Sequence, residues 1–164
     1  LESDGRFRVL VLAGDVRNLI RKQLVETLSQ ALSEHSELRI PLLDRYAAIP
    51  GRFNSPIDVF TIHCSPWREV ELFDFPDALR PFNPISGYAY EKIWCDDACP
   101  FDRYCDGTAY ENWGVDRALG ALVVIRPDQY IGWVGKLEDL KGMTQYFDGV
   151  LKQKTTTSGT KTVV

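Results

Sequence analysis

No Cys-x-x-Cys pair occurs in this chain, which excludes dithiol exchange by the usual route, where paired thiols sit at a helix start that stabilises the attacking thiolate. There is no G-x-G-x-x-G, so nothing holds a dinucleotide pyrophosphate in the manner of a Gly-rich strand-to-helix turn, and no P-loop, G-x-S-x-G or H-E-x-x-H is present. Apolar runs fall far short of the roughly 20 residues that span a bilayer. The N-terminus lacks a charged segment followed by an apolar core, so a cytoplasmic protein is expected. Basic residues are no more plentiful than acidic ones: 19 Lys and Arg against 23 Asp and Glu give a net charge of -4. Nucleic-acid binding, which needs clustered Lys and Arg, has no electrostatic footprint here.

What is present suits one globular domain. Of 164 residues, 45% are hydrophobic, enough to bury a core without metals or disulfide staples. Phe7 to Leu12 is an apolar run between Gly5 and Gly14 and reads as a buried strand. Asp15 is placed to cap a long helix in which Val16, Leu19, Ile20, Leu24, Leu28, Ala31 and Leu32 recur on one face. Leu38 to Leu43 is expected as a short edge strand, because Pro41 cannot donate to a ladder, and Ala47 to Pro56 as a loop. Ile57 to Cys64 reads as an inner strand, Asp74 to Leu79 as a short helix with Pro76 in its first turn, Tyr88 to Cys95 as a strand, and Thr108 to Trp113 as a short helix.

The most informative stretch is Trp113 to Trp133. Ala121 to Ile125 is a short β-branched apolar run, Pro127 and Asp128 supply turn chemistry, and Tyr130 to Val134 resume a strand, so a β-hairpin is predicted. Leu137, Leu140, Met143 and Phe147 then mark a final amphipathic helix, weakened by Gly142. From residue 152 the chain is polar and of low complexity, the composition of a flexible tail.

Residues with chemical potential are few. His63 and Cys64 close the inner strand where α/β sheets often place ligands, but adjacent strand residues point to opposite faces and cannot readily pair. Cys95, Cys99 and Cys105 stand among Asp96, Asp97, Asp102 and Asp106. Their C-x3-C-x5-C spacing lacks the knuckle and the histidine of a zinc site, and the aspartates lack the spacing of a calcium loop, so a polar surface loop without metal is expected. Gly14 and the following helix start could be read as an anion site, though a plain turn is the favoured reading. Arg126 at the hairpin turn reads as architectural, paired with Asp128 or a neighbouring carboxylate.

The run Gly-Ala-Leu-Val-Val-Ile-Arg-Pro-Asp-Gln-Tyr-Ile-Gly-Trp from Gly120, with Leu137-Glu-Asp-Leu and Tyr146-Phe147, resembles the C-terminal domain of phenol-hydroxylase-type, FAD-dependent aromatic monooxygenases. Asp4-Gly-Arg-Phe-Arg-Val-Leu-Val-Leu-Ala-Gly-Asp, Phe60-Thr-Ile-His and Ala109-Tyr-Glu-Asn-Trp-Gly-Val-Asp extend the likeness over residues 4 to 151. The resemblance implies an α/β, thioredoxin-like mixed β-sheet flanked by helices over residues 1–151, ending in a β-hairpin and a C-terminal helix, with residues 152–164 as the tail. It further implies a non-catalytic role in folding and subunit association. Flavin and substrate domains of the same polypeptide, or a second copy, would then be the partners. FAD is expected only in an upstream domain, and Leu1 in place of an initiator Met favours a fragment. The alternative is a stand-alone, cofactor-independent enzyme or binding protein for an aromatic or polyketide-like metabolite. Its candidate residues, chosen by chemistry alone, are His63, Asp102, Tyr104 and Arg126.

Overall fold

The first strand forms where the apolar run predicts it. β1 (Phe7–Gly14) is buried along nearly its whole length because it lies at the centre of the sheet, where both faces need apolar side chains. In chain order it is followed by α1 (Leu19–Ser33), α2 (Leu42–Arg45), β2 (Ile57–His63), β3 (Phe82–Asn83), β4 (Gly87–Tyr88), β5 (Ile93–Cys95), α3 (Ala109–Asn112), β6 (Ala121–Ile125), β7 (Ile131–Gly135) and α4 (Leu140–Val150). The computed structural model describes residues 4–33, 41–47, 55–98 and 106–153.

Five strands make one mixed sheet in the order β5-β2-β1-β6-β7, and β3 and β4 form a separate small hairpin. β2 runs parallel to β1 and to β5, whereas β6 is antiparallel to β1 and to β7. The α/β class, the hairpin and the C-terminal helix are therefore as the sequence predicts. Alternation along the strands sorts the core into two layers. Val9, Val11, Val59, Leu122 and Val124 pack under α1 and α4, against Val25, Leu28, Leu32, Met143 and Phe147. Leu10, Leu12, Val123 and Ile125 face the other way, toward Tyr110 of α3. Each fully buried large apolar side chain contributes about 1.5–3 kcal/mol.

Several local expectations are corrected. The cap of α1 is Asn18, whose Oδ1 accepts the Ile20 amide at 2.9 Å, while the Asp15 carboxylate turns to the Arg17 amide and guanidinium. The helix therefore begins a turn later than predicted, and Leu19 and Ile20 stand 81% and 66% exposed. Residues 41–43 of the expected edge strand turn into α2 instead. The Pro41 carbonyl accepts the Asp44 and Arg45 amides, and Leu42 and Leu43 become buried; residues 38–40 lie outside those described, as do 48–54 of the expected loop. The helix expected at Asp74 to Leu79 is reduced to a single 3-10 turn over Leu72–Asp74, closed by a reciprocal Glu71 and Asp74 capping box, and a separate turn from Pro76 to Leu79. The strand expected from Tyr88 to Cys95 is broken at Tyr90–Lys92 by a 3-10 turn, because Lys92 reaches across to Asp58 at 2.6 Å and Ala89 pairs with Pro81. The expected tail lies outside the described residues from 154 onward.

Candidate functional site

β1 and β2 are parallel and end side by side, with Gly14 registered against His63. The crevice beyond such strand ends is the usual ligand site of α/β sheets. Here the chain fills it with its own side chains. Tyr110, fully buried in α3, donates its hydroxyl to the Ile62 carbonyl at 2.7 Å and accepts the Gly14 amide at 2.7 Å. One phenol thus ties both strand ends to α3, and burial pushes its ionisation well above the ordinary tyrosine value. Gly14 adopts φ 76°, and an added Cβ would come within 2.9 Å of the Arg117 carbonyl oxygen, so the strand end closes only around glycine.

Asp96 completes the closure. Its amide donates to the His63 carbonyl at 2.7 Å, and its buried carboxylate accepts the Ala109 and Tyr110 amides at 2.8 and 3.2 Å. Thr108 caps nothing with its own side chain, so an aspartate from across the loop satisfies the first amides of α3. Arg117 pairs with the same carboxylate at 2.9 Å, donates to the Gly107 carbonyl and lies 5.6 Å from the Tyr110 ring. Charge, cap and aromatic ring satisfy one another, which is what buried polar groups require.

His63 and Cys64 do point to opposite faces. His63 is buried against the Phe75 ring at 5.3 Å, and its Nδ1 has no hydrogen-bond partner among the described residues. Burial lowers its pKa, opposed by the nearby Asp15 and Asp97 carboxylates. Cys64 contacts the Arg117 carbonyl at 3.9 Å, and burial raises its thiol. Arg126 stands at the hairpin turn, paired with Asp128 at 2.6 Å. β1 pairs with Ile125 at its start and with His63 at its end, so His63 and Arg126 lie at opposite ends of the sheet, about 20 Å apart at the strand rise per residue. The structure does not bring them together. Asp102 and Tyr104, with Cys99 and Cys105, lie outside the described residues. Among the described residues no group of three or more His, Cys, Asp or Glu is placed to hold a metal ion, and no helix is long and apolar enough to cross a membrane.

The strand-to-helix turn does not fit a dinucleotide. Its first residue after Gly14 is Asp15, a carboxylate that Arg17 holds down at a pKa of about 2, and the first amides of α1 already bond to Asn18. An anionic residue stands where a pyrophosphate would need bare amides. Residues that sequence reasoning undervalued are Tyr110, Asp96 and Arg117. Tyr110 has a signal in the Ala109-Tyr-Glu-Asn-Trp motif, while in the sequence Asp96 is one carboxylate among four in a polar segment.

The geometry defines an α/β domain whose strand-end crevice is closed by structural side chains. The family described as phenol hydroxylase, C-terminal dimerisation domain, matches residues 1–155, and the chain belongs to that family. It is 32% identical over 154 residues to an FAD-dependent monooxygenase, ankC, of Aspergillus thermomutatus, covering 94% of this chain and 23% of that protein. Phenol 2-monooxygenase fsqG of Aspergillus fumigatus is 31% identical over 150 residues, 90% of this chain and 22% of its own. The 3-hydroxybenzoate 4-monooxygenase of Comamonas testosteroni is 30% identical over 152 residues, 92% of this chain and 23% of its own. The chain spans about a quarter of the length of these relatives.

Proposed function

We propose that this chain is a non-catalytic, thioredoxin-like association domain of a larger cytoplasmic FAD-dependent aromatic hydroxylase. FAD and substrate bind in other domains of that polypeptide, and this domain contributes folding stability and subunit contacts. It carries out no dithiol chemistry, no catalytic residue comes from it, and neither nucleic acid nor membrane is a partner. The observation that carries the reading is the closure of the strand-end crevice by Tyr110, Asp96 and Arg117, beside apolar side chains left exposed elsewhere on the sheet.

The test has two parts. An immunoblot of source cells with an antibody raised against this chain should show a band several times heavier than 18.6 kDa. Sedimentation of the isolated chain should show self-association, with no flavin absorbance after incubation with FAD. A native band at the chain's own mass, or tight flavin binding, would overturn the reading.

A further inference from the structure

β7 is the outer strand of the sheet, and among the described residues its one strand neighbour is β6. Edge strands of soluble proteins are usually protected by charge, proline or shortness, because unpaired backbone groups recruit other strands. From Tyr130 to Gly135 the sequence is Tyr-Ile-Gly-Trp-Val-Gly, with neither charge nor proline. Tyr130, Ile131 and Val134 are 71%, 58% and 56% exposed. Ile131 and Val134 oppose Ile125 and Val123, both in the layer that faces Tyr110, so the two side chains share one face of the sheet.

On that face lies an open, mainly apolar groove of about 420 Å³, lined by Trp113, Val115, Leu119 and Val134. Arg21, Asp116, Lys136 and Glu138 surround it, two cations and two anions, a rim that is self-complementary in charge. The groove sits at the C-terminal end of β7, and the exposed Tyr130 and Ile131 at its N-terminal end.

We propose that β7 is the seam of a two-fold dimer in which it pairs antiparallel with β7 of a second copy, extending the sheet to ten strands. Antiparallel pairing about a two-fold axis normal to the sheet keeps the same face on the same side. It therefore carries Ile131 of each copy over the Trp113, Leu119 and Val134 groove of the other, twice by symmetry. Each copy supplies both the projecting side chains and the recess, and the balanced rim lets the cations of one groove meet the anions of the other. This inference rests on the reading of the chain as an association domain and specifies which surface associates.

The experiment is sedimentation velocity of the full 164-residue chain across a concentration series, with Ile131→Lys and Val134→Lys, and Ile85→Lys on the exposed β3–β4 hairpin as the control. The expected result is a wild-type dimer whose Kd rises by about 100-fold or more in either β7 variant, as edge charges block strand addition, and is unchanged in Ile85→Lys. Far-ultraviolet circular dichroism shows whether each variant is folded. Amide exchange of the wild type, dilute against concentrated, is expected to slow in residues 130–135 as the dimer forms, a readout that needs no variant. A wild-type dimer insensitive to both β7 charges, or one whose β7 amides exchange equally fast when dilute and concentrated, overturns the seam and leaves the association reading standing. A chain monomeric at every concentration overturns both.

Discussion

At the ends of β1 and β2 the chain's polar side chains serve the chain itself: the Tyr110 hydroxyl, the Asp96 carboxylate and the Arg117 guanidinium bond to its amides, its carbonyls and one another. Along β7 the arrangement is reversed, with apolar side chains turned outward. In many α/β proteins the strand ends carry the ligand and the sheet edge is protected. The exchange of roles places the domain's chemical potential in its own stability and its unsatisfied surface on an edge. That arrangement supports the association role proposed for the domain.

The comparison is broken most directly at Tyr110. Tyr110→Ala removes a fully buried ring and two hydrogen bonds, and a loss of about 3–5 kcal/mol in chemical denaturation is expected. A loss below about 1 kcal/mol would mean that the strand ends do not depend on this plug. Asp96→Ala is next: it leaves the first amides of α3 without their acceptor and takes the carboxylate from Arg117, at an expected cost of about 1–3 kcal/mol. Gly120→Ala tests the backbone at the mouth of the hairpin, where φ is 65° and a Cβ would strike the Leu12 carbonyl oxygen. About 1–3 kcal/mol is expected, read as a lowered Tm.

A finer effect comes from His63. In the unfolded chain its imidazole takes a proton near pH 6.5, whereas in the fold burial delays protonation to lower pH. Between those two values the unfolded state binds more protons, so stability is full above about pH 6.5 and falls as the pH drops through the folded-state pKa. Thermal melts from pH 7.5 to 4.5 should show a smaller decline in His63→Leu than in the wild type. Parallel curves would mean that this histidine titrates alike in both states.

Much of the fold was legible because its signals are local. Ala121 to Ile125 and the Pro127-Asp128 turn specify a hairpin from composition and spacing alone, although the irregularity that skips Gly132 between the Ile125–Ile131 and Val124–Trp133 pairs has no local signal. The inner strands were equally readable, since an apolar run between glycines has few other uses. Expectations failed where a distant partner decided the backbone. Lys92 reaches toward Asp58, 34 residues away, and Val16, which the periodicity places in the first turn of the helix, donates its amide to the Ser65 hydroxyl 49 residues away. At the candidate site the sequence points to His63 and Arg126 by their chemistry alone. It could not reveal that they lie at opposite ends of the sheet, because separation in space is a property of topology.

By itself, then, the sequence determined the α/β class, the order of the principal strands and helices, the family, and the absence of a dithiol or dinucleotide motif, since each depends on residue types at short spacing. Only the tertiary structure decided that Tyr110 closes the strand ends, that Asp96 caps a helix thirteen residues away, and that, among the described residues, Ile131 and Val134 stand exposed on the outer strand. Those outcomes depend on which segments meet, and the pairing of distant segments is set by burial and hydrogen bonding summed over the whole chain.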